Sequence, residues 1–155
     1  MALYLANQFW KHGGEIATTL ICLWALWRGG LPERIGSLTM LIGWALTDLL
    51  LAPDGGPGPW VLAVDTGMFV SYAALAVWFR LPWSFFAAGC MLNAVATHYL
   101  HKITSFGVFT FATSETFWGG WAIIICLAWG VVSHRSRLRK RVRTLAAEGV
   151  EARGP

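Results

Sequence analysis

Charge is what this sequence has least of. Lys, Arg, Asp and Glu make up 13% of the 155 residues, against roughly 25% in soluble globular domains. That shortage argues against a chain solvated only by water. Cysteine is scarce too: Cys22, Cys90 and Cys126 stand far apart and form no CxxC, so there is no disulfide framework and no zinc ribbon. No Gly-rich phosphate loop, GxSxG, HExxH or Ser–His–Asp pattern occurs, and nothing points to a nucleotide. The N-terminus, MALYLANQFWKHGGE, has no basic stretch before its apolar residues and does not read as a cleavable signal peptide.

What the chain has is apolar surface. Hydrophobic residues are 56% of it, and ten are Trp. Trp favours membrane interfaces, where one edge of the ring stays wet. A membrane helix needs ~20 mostly apolar residues. Five segments approach that length, at about 10–28, 33–52, 59–79, 83–102 and 113–133. Pro- and Gly-rich breakers separate the first four: Arg28-Gly29-Gly30-Leu31-Pro32, residues 53–59, and Arg80-Leu81-Pro82. Pro32, Pro59 and Pro82 fall where a first helical turn begins, the position that tolerates proline. The expected fold is an all-α bundle of five transmembrane helices over residues 1–134, followed by a basic tail, 135–155. The first helix is expected to start after His12, Gly13 and Gly14, or somewhat earlier, near Phe9. Segment 103–112 is too short to span and reads as an interfacial stretch; the other reading is a fifth helix that begins earlier and tilts.

Orientation follows the cations. Arg28, Arg34, Arg80, Arg135, Arg137, Arg139, Lys140, Arg141, Arg143 and Arg153 fall on one side, with only Lys11 and Lys102 on the other. The N-terminus is therefore expected outside and the C-terminus in the cytoplasm, in a bacterial inner membrane. Leu138, Val142, Leu145 and Ala146 share a helical face, so the tail is expected to form an amphipathic helix on anionic headgroups and then to lose order after Gly149. Its charge has no interleaved aromatics, which argues against nucleic acid.

Ionisable residues within spans cost about 2.5–3.5 kcal/mol on insertion scales, so each calls for a reason. Asp65 lies 16 residues before Leu81 and His98 lies 17 after it. In an antiparallel hairpin these two share a depth, one to two turns below the outer surface. Glu15, Asp48, Glu115 and His101 are expected on the same side, with Glu15 and Glu115 opening the first and fifth helices. Helical spacing also predicts polar faces turned toward neighbouring helices: Cys90, Asn93, Thr97 and His101 in the fourth, and Glu15, Thr18, Thr19 and Cys22 in the first. The cysteines fall at similar depth and read as small apolar packing residues.

Three roles suit the cluster Asp65, His98, His101, Glu115, Glu15 and Asp48. One is a clasp that ties helices together, with Asp65 paired to His98. The second is a site for zinc, iron or haem, with hydrolysis as its enzymatic form; haem would need His12 as the second axial ligand. The third is proton or ion movement, although the inner half shows no continuous charged path. In the absence of a catalytic constellation, the first expectation is a non-enzymatic accessory subunit without a cofactor. Such a subunit packs against a larger complex or a second copy of itself. A metal- or haem-binding membrane protein is the alternative.

The stretches WVLAVDTGMFVSYAALAVWFR and LPWSFFAAGCMLNAVATHYLHKI resemble a group of small multi-span inner-membrane proteins of alphaproteobacteria. The resemblance covers the third and fourth spans: a Val-Asp in one, a short basic turn, then Ala-Thr-His late in the next. It implies an inner-membrane helical bundle and a pairing of Asp65 with His98. It implies no activity.

Overall fold

A computed structural model describes the backbone of residues 2–50, 59–103 and 108–151, and side chains from residue 13 to 146 except 51–59, 101–109 and 111. The described residues form six helices and no strand: α1 Ala2–Arg28, α2 Leu31–Leu50, α3 Pro59–Phe79, α4 Pro82–Ile103, α5 Val108–Glu115 and α6 Ala122–Glu151. A π-helical turn, Thr116–Trp121, joins α5 to α6 without a break. The described residues thus form five rods. Each packs on its neighbours in the ring α1, α2, α3, α4, α6, and α2 also reaches α6 across the middle.

The breakers act where the sequence places them. Gly29 closes α1 with its amide on the Ala25 carbonyl, 2.9 Å. The Gly30 amide then donates to Glu33 Oε2, 3.0 Å. Glu33 is the third residue of α2, so this is one half of a capping box. At the end of α3, Arg80 adopts a left-handed conformation with φ 51. Its amide reaches the Ala76 carbonyl at 3.0 Å, an αL cap made without glycine. That reversal makes α3 and α4 an antiparallel hairpin.

Four expectations need correction. First, α1 begins at Ala2, ahead of both expected starts, and runs through His12, Gly13 and Gly14, so Glu15 does not open the helix. Packing overrides the poor helix propensity of the two glycines: Gly14 is buried, and a Cβ there would stand 3.8 Å from the Trp121 indole. Second, the helix carrying Glu115 begins at Val108. Residues 108–112 contain no breaker and extend it, as the second reading of that segment has it; residues 104–107 lie outside the described chain. Third, Glu115 closes α5 and leads into the π turn, so it caps no helix N-terminus. Fourth, the basic tail is not a separate helix. α6 continues unbroken from Ala122 to Glu151, because no Gly or Pro interrupts residues 131–148. The predicted loss of order after Gly149 concerns residues that lie mostly outside the described chain.

The distribution of side chains is inverted relative to a water-solvated protein. Asp65, His98, Glu33, Ser37, Ser84 and Thr18 are buried with Met40, Met91, Tyr72, Trp83 and Leu127. Large apolar side chains cover the outside of every rod, with Trp78 84% and Trp27 73% exposed. Among the described residues, Trp60–Phe79 and Ala112–Ala146 are long and apolar enough to cross a membrane.

Candidate metal centre

Three side chains from three helices meet at the end of the bundle away from Arg28, Arg34 and Arg80. Along the α3–α4 hairpin, Asp65 and His98 are nearly equidistant from the turn. At 1.5 Å per residue they come level. His98 Nε2 stands 2.7 Å from Asp65 Oδ2, with both residues buried. Glu115 approaches from α5, its Oε2 3.8 Å from His98 Nε2. That oxygen is buried and accepts no hydrogen bond among the described residues.

The π turn shapes this approach. Such turns insert a residue into an α-helix and gather at functional sites. Glu115 Oε1 lies 3.0 Å from where a Cβ on Gly119 would stand. A larger residue at 119 would press on the carboxylate.

One imidazole nitrogen and two carboxylate oxygens lie within 4.8 Å of one another. Around a metal with bonds of about 2.1 Å, tetrahedral ligands are roughly 3.4 Å apart. His98 Nε2 stands 2.7 Å from Asp65 and 3.8 Å from Glu115, one separation on each side of that distance. Without a cation, two carboxyl groups and one imidazole would crowd together, and the two carboxyls could not both carry a charge without repulsion. Buried charge is tolerated when paired or metal-bound. A nitrogen–oxygen donor set of this kind suits zinc, iron(II) or manganese(II). Three protein ligands leave a further position for water or substrate.

The other expected members stand apart from the three. Asp48 is exposed on α2. Glu15 is half-buried on α1 and is not one of the converging ligands. The side chains of His101 and His12 lie outside the described residues. The expected polar face of α4 is also shifted. Met91, Ala94 and His98 point inward, whereas Asn93 is exposed and Thr97 half-buried. On α1, Thr18 and Cys22 are buried, Glu15 is half-buried and Thr19 is exposed. The cysteines are free. Cys22 and Cys126 are buried in the core, and Cys90 packs against it.

Sequence reasoning missed Glu33. It is 0% exposed at the opposite end of the bundle. Trp83 Nε1 donates to its Oε1 at 3.1 Å, and the Gly30 amide donates to its Oε2. His134 of α6 sits against the same turn, its Nδ1 2.9 Å from the position of a Cβ on Gly30. The signal was available: Glu33 and Trp83 both lie in the first turn of helices that start on the same side.

Comparison of the chain with family models, curated proteins and solved structures gave no match. The geometry alone defines the class: an all-helical bundle with a buried Asp–His–Glu convergence near one end.

Proposed function

We propose that this is a small multi-pass membrane protein in which all five rods span the bilayer, and that Asp65, His98 and Glu115 hold one divalent transition-metal ion near its outer face. The inverted side-chain distribution supports the five spans. Apolar side chains cover α1, α2 and α4 as well as the two most apolar helices, while Glu33 and Ser37 of α2 and Ser84 and His98 of α4 turn to the interior. The cations at Arg28, Arg34, Arg80 and along 135–143 support an inner-membrane orientation with the tail in the cytoplasm.

The observation that carries the metal reading is the approach of Glu115. A clasp needs only Asp65 and His98, which satisfy one another at 2.7 Å. A second carboxylate beside that pair, with a buried oxygen that accepts no hydrogen bond, needs a cation or a retained proton to offset the repulsion, and the nitrogen–oxygen donor set of the three side chains suits the cation. The reading as an accessory subunit leaned on the absence of a constellation, and this convergence favours the alternative. Haem has less support, since it asks for two imidazoles at one depth and the three residues supply one. Proton movement has less support as well. Between Glu33 and Asp65 the core is Met40, Met68, Met91 and Ala94, and the Tyr72 hydroxyl is committed to the Gly36 carbonyl at 2.8 Å.

The test is metal binding by the purified full-length protein. Stripped of metal and titrated with Co(II), it is expected to bind one ion per chain and to show visible absorption from a nitrogen–oxygen site. His98→Ala is expected to lose the signal and Asp48→Asn to keep it. Equal binding by His98→Ala and the wild type would place the metal elsewhere.

A further inference from the structure

The polar groups on the outer surface of the rods are not all alike. Thr19, Thr66, Ser71, Thr97 and Thr116 each donate their hydroxyl to the carbonyl four residues earlier, at 2.7 to 2.9 Å. That bond lets a hydroxyl face lipid without an unmet donor. Asn93 is different. It is exposed, and among the described residues its side chain makes one hydrogen bond, Nδ2 to the Gly89 carbonyl at 3.1 Å. A primary amide has two N–H donors and an acceptor oxygen with two lone pairs. One N–H and the whole of Oδ1 are therefore unmet.

The depth of Asn93 makes this costly. It lies midway along α4, Pro82–Ile103, about 16 Å from either end at 1.5 Å per residue. Half of a hydrocarbon core is ~15 Å, so in the five-span reading, on which this inference rests, the amide lies at the bilayer midplane. An unmet polar group there costs several kcal/mol. The surrounding face is Phe85, Phe86, Leu92 and Leu100, all at least half exposed. It carries no charge that would select a charged partner. One turn away, Gly89 is exposed and a Cβ there would meet nothing within 4 Å.

We infer that the α4 face centred on Asn93 is a self-association surface, and that its occupant is the same face of a second copy. A primary amide is complementary to itself: across a two-fold axis each Nδ2 donates to the other Oδ1, and both groups are satisfied at once. A two-fold interface needs this self-complementarity. Gly89 permits the close backbone approach that membrane helix pairs use. His98, the one proposed ligand on α4, is on the core side of that helix and takes no part.

The test uses full-length protein labelled at its C-terminal tail and reconstituted in phosphatidylcholine vesicles. Flotation and carbonate resistance come first; a protein that fails them sinks the five-span reading rather than this one. For protein that passes, energy transfer is measured against protein-to-lipid ratio. The wild type is expected to show transfer that rises with ratio and fits a dimer. Asn93→Val, which removes two reciprocal bonds, is expected to weaken association roughly tenfold. Asn93→Gln keeps the amide and is expected to retain most of it, and Trp78→Ala, on the outer face of α3, to leave it unchanged. Metal binding serves as the folding control for Asn93→Val. Transfer no greater than random proximity in the wild type, or an Asn93→Val curve that overlays the wild type, overturns the inference.

Discussion

His98 Nε2 stands 2.7 Å from Asp65 Oδ2, and the two residues join α3 to α4 across 33 positions of sequence. Both are buried. Each therefore solves a problem for the other: a carboxylate and an imidazole in an apolar bundle are tolerable as a pair and costly singly.

The first prediction follows from that dependence. In metal-free protein, His98→Ala leaves Asp65 beside Glu115 with no partner between them. Breaking a buried pair by removing one member costs about 3–5 kcal/mol. Chemical unfolding in mild detergent is expected to show a loss of that order. An unchanged midpoint would mean that the two residues do not support one another.

A second prediction concerns the opposite end. Trp83→Phe removes the donor to Glu33 Oε1 and leaves a fully buried carboxylate oxygen unmet. The expected loss is about 1–3 kcal/mol, beyond a small packing cost. Replacing both partners, Glu33→Leu with Trp83→Phe, is expected to cost less than the sum of the single changes, because neither polar group is then stranded. Strict additivity in this cycle would show that the contact carries no coupling.

A third prediction is the pH dependence of metal affinity. The ligands bind as neutral imidazole and ionised carboxylates, so protons compete with the metal. Affinity is expected to fall as pH falls and to rise toward neutral pH. A Co(II) titration repeated across mildly acidic to neutral pH checks this. Affinity independent of pH would contradict a site built from these three proton-binding ligands.

The fourth concerns orientation. Alkaline phosphatase fused after Asp54 is expected to be active, which marks the outside. Fused after Arg80 or after Ala146 it is expected to be inactive, which marks the cytoplasm. Activity at Arg80 would invert the hairpin and put Asp65 and His98 at the inner face.

These residues also show how far a sequence can be read. The ends of α3 and α4 were legible because Pro59, Pro82 and the Arg80–Leu81 reversal are local signals whose effect does not depend on the rest of the fold. The Asp65–His98 contact was legible for the same reason: a short turn fixes the register of a hairpin, and equal counts of residues give equal depth. Glu115 was legible as a member of the cluster and misread in its role. A π turn leaves no periodic mark in the sequence, so the start of α5 and the aim of the carboxylate stayed hidden. Asn93 was placed on an inward face because four polar residues at helical spacing define a stripe but not which way it turns. The core chose Met91, Ala94 and His98 instead. Glu33 was passed over because a carboxylate in a first helical turn already has a reason to be there, in the helix dipole. Its burial depends on the Trp83 indole of α4 reaching it across the bundle, a long-range contact that the first-turn position alone does not fix.

The central claim is that Asp65, His98 and Glu115 share one metal ion, and the most direct measurement is binding stoichiometry with each ligand removed in turn. Stripped wild-type protein in detergent, equilibrated with Zn(II), Co(II), Fe(II) and Mn(II) and freed of excess, is expected to retain about one ion per chain for at least one of these metals. Asp65→Asn, His98→Ala and Glu115→Gln are each expected to lose it while the protein stays folded by circular dichroism. Folded wild-type protein that retains none of the four metals, or that retains them equally well in all three variants, would contradict the account.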